Sequence, residues 1–212
     1  MKTIYRLSFK KIGPVSFVSH LDIVKLFQAA IRRAALPIAF SEGFNPHQKM
    51  SFAAPLSTGY DGEHELLDIE LCHIIDPVEL LLRLNLHLPE GIEVFAAELT
   101  NTKKSAASFL SAADYFVEFP YIVEETVLAD IMQQPEIIVF KKNKKGAKYV
   151  DIRKDIFSLS CDGNLLHMRL AAGSTNNLKP DLVVRQICEL SGKIYNHYEY
   201  HFSRKQLILN GD

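Results

Sequence analysis

The chain begins with alternating apolar and polar positions. In residues 3–11, TIYRLSFKK, the large apolar side chains of Tyr5, Leu7 and Phe9 occupy every second position. A period of two is typical of a β-strand with one buried face. Gly13-Pro14 is expected to end this strand, because both residues favour turns.

A helical pattern follows the first strand. Ser19 and Asp22 form a variant of the capping box, with Asp in place of the usual Glu, and predict that a helix begins here. Pro37 is expected to end it. The apolar residues of this segment recur with helical spacing and should face the core: Ile23, Val24, Phe27, Ala30, Ile31 and Ala34.

The rest of the first half continues with two short strands, a longer strand, a helix and a final strand. Asp76 and Pro77 are typical of the first positions of a helix. The predicted strands lie around residues 38–41, 49–53, 64–72 and 92–100. The resulting β-α-β-β-α-β order is that of a split βαβ fold.

The second half repeats this order loosely after a small, polar stretch, residues 101–108, that is typical of a linker. Strands are predicted at 113–119, 194–202 and 206–210, with helices at 123–134 and after Pro180. Two hairpins lie between the helices, one turning at the lysine-rich KKNKKG and the other at Asp162-Gly163. The sequence therefore predicts an α+β fold of two tandem ferredoxin-like (split βαβ) halves, residues 1–101 and 109–212, the second with an inserted β-hairpin.

Composition excludes several classes of protein. No run approaches the roughly 18 apolar residues of a membrane helix, and because the first residues alternate between apolar and polar we expect no secretory signal there. Three widely spaced cysteines, Cys72, Cys161 and Cys188, imply no disulfide framework and suit a cytoplasmic protein. The net charge of −1 gives no global basic footprint, so nucleic-acid binding would depend on local basic patches.

The run from Gly13 to Gly59 resembles a known family. GPVSFVSHLDIVKLFQAAIRRAALPIAFSEGFNPHQKMSFAAPLSTG is similar to the N-terminal signature of the radical SAM-linked proteins of unknown function. The resemblance covers the whole chain and is strongest over this first third. Gln48 departs from it, since the family often has Pro there.

That resemblance implies a protein that works with, or is elsewhere fused to, a radical SAM enzyme with a cobalamin-type domain. Relatives encoded near an RNA-maturation nuclease and ribosomal proteins suggest a role in RNA modification or maturation. The chain is not itself the radical enzyme, because Cys72, Cys161 and Cys188 are too far apart to share one cluster loop. The sequence predicts no cofactor and no metal site, and leaves open whether the chain alone is an enzyme.

Two segments of the signature carry candidate binding residues. His20 and Asp22 lie in the first turn of the predicted helix, where the helix dipole favours a neutral imidazole that can accept a proton; alternatively, His20 only packs locally. In the loop SEGFNPH, Gly43, Phe44, Asn45 and His47 can hold a base by stacking and edge hydrogen bonds, or can simply form a turn.

Basic residues suggest two phosphate contacts. Arg32 and Arg33 can grip oxyanions bidentately, but they lie on adjacent faces of one helix, so at most one can point at a given site. Lys141, Lys142, Lys144 and Lys145 form the densest basic segment and are candidates for the nucleic-acid backbone; the alternative is a solvated loop.

Three functional hypotheses follow. The first is an accessory RNA-binding or substrate-presenting protein that works with a radical SAM enzyme. The second is a metal-independent endoribonuclease of the CRISPR repeat-processing type, an analogy at the level of the fold only. The third is a protein-docking module that does not contact nucleic acid.

Overall fold

The computed structural model describes residues 3–102, 104–143, 146–173 and 176–210, without the side chains of residues 142, 143 and 147. The fold is α+β with mostly antiparallel strands, as the sequence predicts. The chain divides into two units, one of Met1–Leu110 with Leu209–Asp212 and one of Ser111–Ile208. None of the helices in the described part of the chain has the length and apolar character needed to cross a membrane.

The first unit has four strands in the order β4-β1-β3-β2, and all three neighbouring pairs are antiparallel. Leu7 lies opposite Leu67 of one neighbouring strand and Ala97 of the other. The elements are β1 (Thr3–Lys11), α1 (His20–Arg33), β2 (Met50–Phe52), β3 (Asp61–Leu71), α2 (Pro77–Asn85), β4 (Ile92–Leu99) and α3 (Ala106–Phe109).

Alternation along β1 places the core of this unit. Tyr5, Leu7 and Phe9 are buried and belong to one apolar cluster with Phe27 of α1 and Leu80 of α2. Phe9 and Phe27 meet edge to face, with ring centroids 5.0 Å apart. The alternating apolar residues of β1 and the helically spaced apolar residues of α1 and α2 therefore pack in one buried layer, because burial of apolar surface is favourable.

The predicted ends of α1 are confirmed. Ser19 is the N-cap, and its Oγ accepts a hydrogen bond from the backbone N–H of Asp22 at 3.3 Å. At the other end Ala35 has a φ of +48°, a left-handed conformation that ends the helix just before Pro37. Asp76 caps α2 in the same manner, accepting from Val78 at 2.9 Å.

The second unit has a four-stranded sheet in the order β10-β5-β9-β8 and a separate two-stranded sheet, β6-β7. The turn between β8 and β9 consists of Gly163, with a φ of +61°, and Asn164, one residue later than the predicted Asp162-Gly163, because Asp162 still pairs with Leu165 in the sheet. The elements are β5 (Leu110–Glu118), α4 (Glu125–Gln133), β6 (Ile138–Asn143), β7 (Gly146–Asp151), β8 (Ile156–Asp162), β9 (Leu165–Ala171), α5 (Pro180–Leu190) and β10 (His201–Leu209).

The prediction of one strand over residues 194–202 is wrong. Residues His197–Glu199 form a 3-10 turn, and the continuous strand β10 begins only at His201. Asn196 starts the turn, because its side chain accepts a hydrogen bond from the N–H of Tyr198 at 3.4 Å. The aromatic rings therefore stack on one another, Tyr195 on Tyr200 with centroids 5.3 Å apart, and do not alternate along a strand.

Two further predictions need correction. The stretch 101–108 contains the start of α3, which Asp68 holds by accepting a hydrogen bond from the N–H of Ala106 at 2.6 Å. The strand predicted at 38–41 is reduced to two isolated pairings, Ile38 with Leu71 and Phe40 with Gln48. The chain leaves the sheet between these pairings because residues 41–47 form a loop.

Candidate functional site

Residues Ser41–His47, hereafter the signature loop, are closed at their base by hydrogen bonds. Ser41 Oγ lies 2.9 Å from His47 Nδ1 and accepts a bond from the His47 N–H at 3.1 Å. The N–H of Ser41 donates to the His47 carbonyl at 2.9 Å. Next to this closure, Ala39 donates to the carbonyl of Glu70 in β3 at 2.7 Å. The loop is therefore anchored to the sheet edge.

The tip of the signature loop presents an aromatic ring to solvent. Phe44 is fully exposed and Asn45 is also exposed. Gly43 has a φ of +113°, a conformation that a side chain would strain, although a Cβ there would meet no atom within 4 Å. The glycine thus serves the backbone turn that projects Phe44, because no close neighbour requires it.

A cavity of about 440 Å³, hereafter the signature cleft, lies between α1 and the base of this loop. It joins residues that are far apart in the sequence: Gln28 and Arg32 from α1, and Phe40 and His47 from the loop segment. The full lining is Gln28, Arg32, Leu36, Ile38, Phe40, Pro46, His47 and Gln48.

Charge in the signature cleft favours an anion. The guanidinium of Arg32 is exposed and makes no hydrogen bond or ion pair with the described part of the chain, and no carboxylate lines the cavity. The Gln48 side chain donates to the carbonyl of Gln28 at 3.2 Å, while its Oε1 is shielded from solvent and has no donor among the described residues. A ligand N–H could satisfy that oxygen.

The two neighbouring arginines have different surroundings. Arg33 lines a separate cavity of about 400 Å³ with Leu26, Leu86 and His87, on the side of α1 that faces α2. Since consecutive helical residues project about 100° apart, only Arg32 can reach the signature cleft. Arg33 therefore does not share a cavity with the candidate residues of the signature loop.

A second cavity, of about 280 Å³, lies on the other side of residues 47–48. Its lining includes Asp68 and Glu70, both already engaged by cations: Arg6 Nε lies 3.0 Å from Asp68, and Lys49 Nζ lies 3.2 Å from Glu70. These carboxylates make it less suited to an anion than the signature cleft.

His20 lies away from the signature cleft. Arg32 lies twelve positions further along the helix, about 18 Å along its axis at 1.5 Å per residue. Its ring meets Phe52 edge to face, with centroids 5.3 Å apart, and it lines a cavity of only about 10 Å³ with the buried side chains of Lys11 and Glu65. That volume holds about one water molecule and no nucleotide.

Asp22 serves the start of α1. Ser19 Oγ donates to its carboxylate at 2.7 Å and Lys25 Nζ donates at 3.1 Å. The hydroxyl of Ser19, followed by Lys25, holds the pKa of Asp22 below its ordinary value. The two conspicuous segments of the signature, SHLD and GFNPH, therefore do not meet in one cavity.

The lysine candidates belong to the second unit. Lys141 lies in β6 opposite Lys148 of β7. The side chain of Lys142 and the whole of Lys144 and Lys145 fall outside the described residues.

Sequence reasoning missed Phe40 as a candidate and gave Gln28 and Gln48 no role. Gln28 stands four residues before Arg32, so helical spacing alone places both on one face. Gln48 was visible only as a departure from the family pattern. Phe40 carried no signal, because one aromatic residue before a turn is not distinctive.

Comparison with known proteins identifies a matching protein family. A protein-family model described as "Uncharacterized protein conserved in bacteria (DUF2344)" matches residues 4–180. No curated protein matches the chain. The chain is similar to the crystal structure of an unknown protein from Galdieria sulphuraria, with 12% identity and a TM-score of 0.31 over 99% of this chain and 100% of that one.

Proposed function

The chain belongs to the bacterial family DUF2344, and on that premise we propose that it is an accessory RNA-binding or substrate-presenting protein. It works in the cytoplasm with a radical SAM enzyme in RNA modification or maturation. The observation that carries the RNA contact is the signature cleft, where the unpaired Arg32, the imidazole of His47 and the ring of Phe40 surround one cavity without a carboxylate.

These groups match the parts of a nucleotide. A guanidinium binds phosphate oxygens with paired donors, and aromatic rings such as Phe40 and Phe44 accept a splayed base by stacking. His47 and the Gln48 amide offer edge hydrogen bonds. The Ser41–His47 closure supports this assignment, because a loop that is already ordered loses less conformational entropy when it binds.

The radical SAM partner rests on the sequence resemblance over residues 13–59. The chain carries no disulfide among its three free cysteines, which is in keeping with a reducing compartment. Co-elution of the purified protein with a radical SAM enzyme of the same genome tests the partnership. Separate elution at micromolar concentration would contradict it.

The RNA contact is tested with the neighbouring arginines as a matched pair. Arg32→Gln should weaken binding of a labelled single-stranded RNA and reduce the salt dependence by about 0.7 in the slope of log K against log salt. Arg33→Gln should leave both unchanged, because Arg33 lines another cavity. Equal losses in both variants would assign the effect to general charge, and no salt-sensitive binding in the parent protein would leave protein docking as the function.

A metal-independent endoribonuclease is the second candidate. The observation that favours it is the 2.9 Å contact between Ser41 Oγ and His47 Nδ1, which orients the ring in the way a general base requires. His47 would take the proton of a 2′-hydroxyl while the 2′-oxygen bonds to phosphorus and the P–O5′ bond breaks, the leaving 5′-oxygen taking a proton from water. RNA cleavage in chelator that is lost in His47→Ala and kept in His20→Ala would select this function over simple binding.

We also propose that each unit is a ferredoxin-like fold. The order β4-β1-β3-β2 with antiparallel neighbours supports this for the first unit, since one helix follows the first strand and another follows the third. The order β10-β5-β9-β8 supports it for the second, with β6-β7 as an inserted hairpin. A crystal structure with a parallel neighbouring pair in either sheet would contradict it.

A further inference from the structure

The cavity of about 280 Å³ next to the signature cleft, hereafter the second cavity, lies on the other face of the sheet. It is lined by Asp68 and Glu70 of β3, which alternate with the core residue Ile69 and so point away from the core. His47 and Gln48 line both cavities and therefore form the wall between them. A ligand that fills both cavities must cross the sheet edge at this wall.

The charges that line the second cavity are balanced in pairs, with one cation in addition. One oxygen of Asp68 lies 3.0 Å from Arg6 Nε and the other accepts a backbone N–H at 2.6 Å, so this carboxylate is engaged on both sides. Lys49 Nζ donates to the two oxygens of Glu70 at 3.3 and 3.2 Å. The side chain of Lys104 lines the cavity and makes no hydrogen bond or ion pair with the described part of the chain. The second cavity therefore suits a polar, neutral group with a phosphate near Lys104.

The ion pair of Lys49 and Glu70 offers a hydrogen-bond donor and an acceptor side by side. The backbone fixes their positions, because the N–H of Glu70 donates to the carbonyl of Lys49 at 3.0 Å. The side chains are 32% and 19% exposed, so a ligand in the cavity can reach both. An ammonium has three N–H donors and a carboxylate accepts about four hydrogen bonds, so their contact with each other does not exhaust either group.

We propose that the second cavity binds a guanine base of single-stranded RNA, next to the nucleotide in the signature cleft. Glu70 accepts from the N1–H and N2–H groups of the base, Lys49 donates to its O6, and Lys104 contacts the adjoining phosphate. Of the four RNA bases, only guanine has two neighbouring N–H donors beside a carbonyl acceptor on its Watson–Crick edge. The inference rests on the proposed RNA-binding function and adds the identity of one base.

The test compares two labelled RNAs on the unaltered protein. Each is a pentamer of adenosines, with either guanosine or inosine at the centre, and fluorescence anisotropy measures its affinity. Inosine keeps N1–H and O6 but lacks the N2 amino group, so it removes one of the two bonds to Glu70. The inosine RNA should bind about five-fold or more weakly, because a bidentate contact to a base edge discriminates by at least that factor.

Protein variants locate the preference. Glu70→Gln should abolish the preference for guanosine over inosine, because an amide has only one acceptor oxygen. The matched control is Glu93→Gln, which breaks the exposed ion pair with Lys10 at the opposite edge of the same sheet and should keep the preference. Arg32→Gln should weaken the binding of both RNAs equally, since Arg32 lies in the signature cleft.

Equal affinity of the unaltered protein for the two RNAs would overturn the guanine site and leave the RNA-binding function in place. If neither RNA binds, the RNA-binding function fails and this inference fails with it. A preference for guanosine that persists in Glu70→Gln would also overturn the inference, because another part of the protein would then read the base. Free guanosine monophosphate that binds as tightly as the guanosine RNA would identify a mononucleotide as the ligand and overturn the assignment to RNA.

Discussion

Ser41 and His47 are joined across the signature loop by one backbone hydrogen bond and two contacts of the serine hydroxyl. The hydroxyl contacts a ring nitrogen and a backbone N–H of the same histidine. This relationship orders the loop that carries Phe44 and sets the orientation of the imidazole in the signature cleft.

Ser41→Ala should therefore weaken RNA binding more than it weakens the fold. The substitution removes both hydroxyl contacts and keeps the backbone bond, which predicts a loss of about 0.5–1.5 kcal/mol in the free energy of unfolding. Urea unfolding and fluorescence anisotropy with labelled RNA measure the two effects. Ser41→Thr retains the hydroxyl and should restore binding; if it behaves like the alanine variant, the hydroxyl contacts are not what orders the site.

Tyr5→Phe should destabilise the first unit. The Tyr5 hydroxyl donates to the carbonyl of Ile75 at 2.6 Å and accepts from the N–H of the same residue at 3.0 Å. Without it, two buried backbone groups lose their partner, at a cost of about 1–3 kcal/mol. Tyr149→Phe, at an exposed position, is the control and should change the denaturation midpoint little. Equal midpoints in the two variants would refute the prediction.

Asp68→Ala should destabilise the protein more strongly. Asp68 is buried, lies 3.0 Å from Arg6 Nε and accepts the N–H of Ala106 at 2.6 Å. Removing one member of a buried ion pair typically costs about 3–5 kcal/mol. Glu79→Ala, which breaks the exposed pair with Arg83, should cost only about 0.3–0.5 kcal/mol. Chemical denaturation of both variants at one pH tests this contrast.

Stability should fall in acid partly through Asp114. Two hydrogen bonds from Arg169, at 2.7 and 2.8 Å, and one from Gln206 hold its pKa below the ordinary value, with Arg169 as the main cause. The folded state then binds the proton less tightly than the unfolded state. The stabilisation that Asp114 gives the folded state is therefore complete above the unfolded pKa of about 3.9. It is lost as the pH falls through the lower pKa of the folded state.

Asp114→Asn removes this contribution. The variant should be less stable than the parent at pH 7, and the difference should shrink as the pH falls below about 4. Asp162→Asn, at an exposed position of the same sheet, is the matched control. The quantity to compare is the difference in unfolding free energy between Asp114→Asn and the parent. If this difference stays constant from pH 7 to below about pH 4, the ionised carboxylate is not the source of the stability.

Local patterns were sufficient wherever one short segment determines its own structure. Ser19 and Asp76 were identifiable as N-caps because a side-chain oxygen reaches its own helix's N–H groups. The alternation of Tyr5, Leu7 and Phe9 was sufficient for β1, because burial of one face imposes a period of two. The alternation pattern gave a wrong prediction for residues 194–202, where aromatic residues recur as in a strand. There the side chain of Asn196 accepts a hydrogen bond from a backbone N–H and starts a turn.

The sequence by itself determined the α+β class and the caps of α1 and α2. Only the tertiary structure decided which candidates share a cavity. It placed Arg32 beside His47 and moved Arg33 and His20 to other cavities, because the burial of Phe27 and Ile31 in the core fixes which side of α1 each polar residue faces. It also showed Phe140 opposite Tyr149, a pairing that depends on hairpin register and that neither residue indicates alone.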